Sequence, residues 1–172
     1  MIGTFAPNDR RARWGMLVGM QLDSSGLQVL PREECLRLMS ATPIGRIVFT
    51  DRALPAIQPV TFLLDGEQII IRTGTGSKLA AATREAVVAF EVDEFDPKTR
   101  TGWSVTAVGH ARAVTDPAEI SRLAALPLTP WAPGSRDHYI VVETEQISGR
   151  RIPAPVTGEH ANGASPLPPR RS

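Results

Sequence analysis

Ile69-Ile70-Ile71-Arg72-Thr73-Gly74-Thr75-Gly76-Ser77-Lys78-Leu79 is the stretch from which the rest of the chain can be read. It opens as an unbroken apolar β-branched run, the pattern of a buried strand. Two glycines then make a turn, and Lys78-Leu79-Ala80-Ala81-Ala82 is a good helix-forming series. The turn gathers Arg72, Thr73, Thr75, Ser77 and Lys78 with the amide hydrogens that glycines leave accessible. A helix N-terminus adds unpaired N–H groups and partial positive charge, so the stretch can cradle an oxyanion such as phosphate. The same residues also describe an ordinary strand-to-helix connection with Ser77 as a cap, and the stretch alone leaves both readings open. It is not a Walker loop, because Gly74 and Gly76 are too close together and Lys78 follows a serine. It is not a dinucleotide fingerprint either, because no third glycine follows at the required spacing.

The 172 residues suit one domain, and 42% apolar with 22% charged residues is an ordinary globular composition. A net charge of +1 gives no bulk attraction to nucleic acid or to a membrane surface. Lys78 and Lys98 are the only lysines in an arginine-rich chain. A single cysteine, Cys35, excludes an intrachain disulfide framework and metal sites of the Cys-pair type; it is expected as a buried, inert thiol on a helix. His110, His138 and His160 lack the spacing of a metal triad. No apolar run reaches about 18 residues, and no apolar segment follows Arg10, Arg11 and Arg13, so a cytoplasmic protein is expected.

Upstream of the opening stretch, residues 30–39 read as a short amphipathic helix and residues 44–50 as a strand. Residues 54–64 form a second strand, in which Pro55 and Pro59 demand an edge or a bulge. Asp65-Gly66 is a two-residue hairpin signal leading into the strand at 68–72. Downstream, a helix is expected at 77–85, a strand at 86–92, a loop at 93–101 and the longest strand at 103–115. One face of that strand carries Trp103, Val105, Ala107, Gly109, Ala111 and Ala113, a small-residue surface suited to close approach by another sheet or a planar ring. Asp116 and Pro117 open a helix running to about 126, a proline-rich loop carries Trp131, and the last strand covers 138–143. Residues 1–27 lack a sustained period and are read as a flexible extension; 153–172 have the composition of a disordered tail. About six hairpin-linked strands and three short helices imply a mainly β fold, a small antiparallel barrel over residues 28–152.

The pieces Ile44-Gly45-Arg46, Gln58-Pro59-Val60-Thr61-Phe62, Asp65-Gly66, Arg72-Thr73, Ser77-Lys78-Leu79, Gly102-Trp103-Ser104-Val105, Pro130-Trp131-Ala132-Pro133-Gly134 and Ser148-Gly149-Arg150-Arg151 stand in a particular order. In that order and spacing the chain resembles the pyridoxamine 5′-phosphate oxidase superfamily of FMN-binding split barrels, and within it an actinobacterial-type subgroup. The resemblance implies a six-stranded split barrel that forms a homodimer, with FMN at the subunit interface. It implies that Pro59, Val60, Thr61 and Phe62 run along the isoalloxazine ring. It places Arg72, Thr73, Ser77 and Lys78 at the phosphate, and brings Trp103 and Ser104 to the flavin from the second subunit. The activity implied is oxidoreduction of a small organic substrate, with the cofactor carrying the redox chemistry, so no catalytic side chain is assigned. Two alternatives on the same fold are a reductase using the deazaflavin F420 and a non-enzymatic flavin or haem carrier. The sequence does not show the arginine-and-histidine substrate motif of the true oxidases near its C-terminal end, which speaks against vitamin B6 oxidation.

Overall fold

The computed structural model describes residues 21–74 and 85–154. Its elements are β1 (Gln28–Leu30), α1 (Arg32–Ala41), β2 (Ile44–Asp51), β3 (Leu54–Asp65), β4 (Gln68–Thr73), β5 (Ala86–Asp96), β6 (Thr101–Ala113), α2 (Pro117–Ala124) and β7 (His138–Ile152). The strand order is β1-β7-β4-β3-β2-β5-β6, and a further β6–β7 pairing closes the sheet on itself. Every pairing is antiparallel. The mainly β barrel expected from the sequence is therefore present. Its seventh strand is β1, three residues added beside the end of β7. A segment that short shows no period of two, and its Leu30 falls within the helix expected over 30–39, which instead begins at Arg32 after Pro31.

The barrel interior is filled from alternate strand positions. Ile47, Phe49, Phe62, Ile69, Ile71, Phe90, Val92, Val105, Ala107, Ala111, Ile140 and Val142 form one cluster, which α1 closes with Cys35, Leu38 and Met39. Phe62 and Phe90 meet edge to face with centroids 4.7 Å apart. A side chain at Gly45 would stand 2.3 Å from the Phe90 ring, so glycine there makes room for the ring. The Cys35 thiol is fully buried, and that burial raises its pKa, as suits an inert group. A second cluster lies outside the barrel, where Leu123 and Ile120 of α2 cover Ile70, Tyr139 and Val141 on the outer face of β4 and β7.

Several boundaries differ from the sequence reading. β5 and β6 continue through most of the expected 93–101 loop, leaving only a short turn, because Asp93, Glu94 and Phe95 pair across to Ser104, Trp103 and Gly102. β7 runs on to Ile152. The chain is also ordered before residue 28. Leu22 bridges Gln28, and the Asp23 carboxylate binds Arg150 at 2.8 Å. Leu22 and Asp23, expected within a flexible extension, are thus tied to β1 and β7, and residues 1–20 lie outside the described residues. The small-residue face of β6 points into the barrel rather than outward. Val105, Ala107 and Ala111 are fully buried, and a Cβ at Gly109 would lie 1.6 Å from the Glu143 carbonyl oxygen. The strand that approaches Gly109 so closely is the chain's own β7, at a bulge where Val108 pairs with Gln146 and Gly109 with Thr144. The helix expected at 77–85 falls almost wholly outside the described residues. No described helix is long and apolar enough to cross a membrane.

Candidate functional site

β3 changes partners along its length, pairing with β2 over its first two-thirds and with β4 only over its last third. It matches β2 from Asp51↔Leu54 to Ile44↔Thr61, whereas its ladder with β4 begins at Phe62↔Ile71. Residues 54–61 therefore form an open edge, and this is the split in the barrel. The prolines follow from it. The Phe62 N–H donates to the Pro43 carbonyl, on the β2 side. Backbone direction alternates along a strand, so positions 55 and 59 present their nitrogens to the open side, where no ladder bond is lost. The edge expected from Pro55 and Pro59 is thus real, although β3 is an interior strand of the sheet. By the same alternation the peptide groups of Thr61 and Arg72 face each other where β3 and β4 part. They would be the next hydrogen-bonded pair, and the two strands do not continue as a ladder there.

A cleft of about 330 Å³ occupies this parting. It is lined by Ile44, Gln58, Pro59, Val60, Thr61, Ile71, Arg72, Thr73, Pro130, Trp131, Ala132 and Arg136. Apolar surface from β2 and β3 lies along it, and two guanidinium-bearing residues contribute to the lining. None of the lining residues described is acidic.

Arg72 is held from three directions. Its Nε–H donates to the Arg136 carbonyl at 2.5 Å, its Cζ lies 5.7 Å from the centroid of the Tyr139 ring, and Asp137 stands 3.7 Å from its outer nitrogen. An arginine has five donors in a planar fork, so most remain for a ligand anion. The 130–137 loop bears on the same place. A side chain at Gly74 would lie 2.8 Å from the Ser135 carbonyl oxygen, so glycine lets the loop pass directly over the end of β4. Thr73, beside Arg72, is 4% exposed, a polar side chain carried into the wall of the cleft.

Five of the ten residues picked from the sequence, Pro59, Val60, Thr61, Arg72 and Thr73, thus line one cleft. Phe62 does not: its ring is 5% exposed and packs inside the barrel on Phe90, because strand alternation turns residue 62 inward. Ser77 and Lys78 lie outside the described residues. Trp103 lines a separate cleft, with Phe95, Gly102, Arg151 and Ile152. Ser104 pairs with Asp93 and Arg150 on the neighbouring strands. Neither Trp103 nor Ser104 lines the Arg72 cleft within one chain. The basic Arg150 and Arg151 are engaged structurally, with Asp23 and Glu34.

The sequence reading missed the contribution of the 130–137 loop to the cleft. The run Pro130-Trp131-Ala132-Pro133-Gly134 carries part of the family resemblance, but that resemblance assigns Trp131 no place at the ligand. The available signal was an indole in a proline-stiffened loop just before a basic residue, Arg136.

The chain is similar to known proteins. The family model described as pyridoxamine 5′-phosphate oxidase matches residues 31–151. Uncharacterized protein Rv0080 of Mycobacterium tuberculosis is 42% identical over 130 residues, 73% of this chain and 85% of the relative. Among solved structures, the FAD binding protein from Mycobacterium smegmatis is 33% identical with a TM-score of 0.62, covering 73% of this chain and 99% of that one. A conserved protein of unknown function from Corynebacterium diphtheriae is 30% identical with a TM-score of 0.62, covering 72% and 96%. With the closed antiparallel barrel, its split beside Arg72 and a family match spanning the barrel, the chain belongs to the pyridoxamine 5′-phosphate oxidase family.

Proposed function

We propose that this protein binds a flavin nucleotide in the cleft between β3 and β4 and acts as an oxidoreductase on a small organic molecule. The observation that carries this reading is the open edge of β3 with Arg72 at its end. The released peptide groups of Thr61 and Arg72 suit the alternating donors and acceptors on one edge of an isoalloxazine ring, and Ile44, Pro59 and Val60 offer its apolar faces a surface. Arg72 would hold the phosphate, with Lys78 as a second cation from the adjoining segment. When bound, the flavin supplies the electron-accepting and electron-donating chemistry. The protein's own groups bind it, orient it and limit water around it.

FMN and FAD share the ring, the ribityl chain and the first phosphate, which are the parts these residues address. The 33% identical relative from Mycobacterium smegmatis is an FAD binding protein, which weighs towards the dinucleotide. The reading also includes a homodimer in which the second copy supplies Trp103 and Ser104 to the cleft. Its support is an uncovered apolar row on the barrel's outer surface. Ile57 pairs with Val48, Val48 with Ala89, and Ala89 with Val108, all at outward positions on β3, β2, β5 and β6. Ile57 is 64% exposed, and Val87 beside the row 59%.

The test is the visible spectrum of the purified protein, followed by chromatography of the cofactor released on denaturation. A flavin spectrum with FAD or FMN released is expected. A protein that is colourless and takes up neither nucleotide overturns the reading, and a deazaflavin or haem spectrum replaces it with another.

A further inference from the structure

Trp131 is the most exposed of the large apolar side chains among the described residues, at 70%. An indole left in water forgoes the largest apolar burial that any side chain offers. Its loop is nevertheless held in place. The Trp131 N–H donates to Thr61 Oγ1 at 3.2 Å, and Pro130 and Pro133 restrict the backbone on either side. The Arg136 guanidinium donates back to the Ala132 and Pro133 carbonyls at 3.2 and 3.3 Å, and the Arg136 carbonyl is in turn held by Arg72. These contacts fix the loop against β3 and β4 while leaving the indole open at the cleft that Ile44, Pro59 and Val60 also line. A rigid loop presenting an uncovered aromatic ring beside an apolar slot is built to cover a planar guest.

We propose that Trp131 is a specificity-determining residue of this cleft, packing its indole against the planar ring of the bound ligand. The proposal rests on the flavin reading and deepens it. Arg72 addresses the phosphate and Trp131 the ring, so the two contributions separate when the phosphate is removed.

The experiment titrates riboflavin, FMN and FAD into wild-type protein stripped of cofactor and into Trp131→Ala, Trp131→Phe and Arg72→Ala. Trp131→Ala is expected to weaken all three ligands by about tenfold, the scale of one aromatic pair plus the area it covers. Trp131→Phe is expected to restore most of that loss. Arg72→Ala should weaken FMN and FAD and spare riboflavin. A second readout is flavin emission, which an indole in contact quenches: bound flavin should be brighter in Trp131→Phe than in the wild type. Thermal melts confirm that each variant is folded. Unchanged riboflavin affinity in folded Trp131→Ala overturns the proposal, as does an effect of that variant on oligomeric state with riboflavin affinity unchanged. If wild-type protein binds none of the three flavins, the flavin reading itself has failed, and the proposal with it.

Discussion

Arg72 shows how a single residue can be both structural and available. Its Nε is committed to the Arg136 carbonyl, which ties the 130–137 loop to β4, while among the described residues its outer nitrogens have only Asp137, at 3.7 Å, as a loose neighbour. Arg72→Ala should weaken FMN by about 1.5–3 kcal/mol, the scale of a charge-assisted hydrogen bond, or roughly ten- to a hundredfold in Kd. Calorimetric titration measures it, and equal affinity in the variant would remove Arg72 from the phosphate site. Glu34 is the carboxylate with the clearest pH signature. Hydrogen bonds from Arg37 and then Arg151 favour its charged form and lower its pKa from 4.5 to about 2. A depressed folded pKa stabilises the fold above the unfolded value and loses that contribution as pH falls through the folded one. The wild type should therefore exceed Glu34→Gln in stability by about 1 kcal/mol near pH 6, a figure kept small by solvent screening of a surface pair. That difference should shrink between pH 4.5 and 2, as denaturant melts at each pH will show. The sequence announced Arg72, because a cation beside a glycine turn has an evident chemistry. It could not announce the partnership of Glu34 with Arg151, 117 positions away, which exists only once α1 lies on β7.

Among the elements, the hairpin between β2 and β3 has two successive residues that disagree with its geometry. Arg52 and Ala53 have φ of 52° and 65°, the left-handed pair that a two-residue turn demands and that asparagine and glycine adopt most easily. Ala53→Gly should relieve that strain and raise stability by about 0.5–1 kcal/mol, after allowing for the entropy a glycine loses. A rise in Tm of about 2 °C follows for a protein of this size; a lower Tm would show the turn is not strained. Glycine is needed for a different reason in β6. Gly109→Ala should cost about 3 kcal/mol or more, since its Cβ would meet β7 backbone, which cannot swing aside like a side-chain tip. The strands of the barrel were legible because their apolar runs and turn residues are local. The direction of β6 was not, because small residues read equally well as a surface awaiting a partner and as an interior crowded by one. Only the closure of β6 on β7 decides between them. The prolines of β3 marked an edge, yet where that edge lies depends on how far β4 continues beside it.

At the scale of the whole molecule, α2 covers the outer face of β4 and β7 and leaves the row Ile57, Val48, Ala89 and Val108 bare. If a second copy covers it, Ile57→Glu should give a folded monomer that retains less flavin, because a charge would be buried at the interface without a partner. Size-exclusion chromatography with light scattering, read with flavin absorbance, measures both together. A dimer with full flavin content in that variant would place the contact elsewhere. The split in the barrel has a consequence for solubility as well. A barrel normally has no free edge, and opening one exposes unpaired peptide groups on which another chain's strand could grow. Here the open half of β3 has Pro55 and Pro59 with their nitrogens facing outward, so an incoming strand would find no donor at two alternate positions of the edge. The same two residues that let the barrel gape for a ligand thus guard it against strand-by-strand polymerisation. In the absence of cofactor, that protection would fall to Pro55 and Pro59 alone along this stretch.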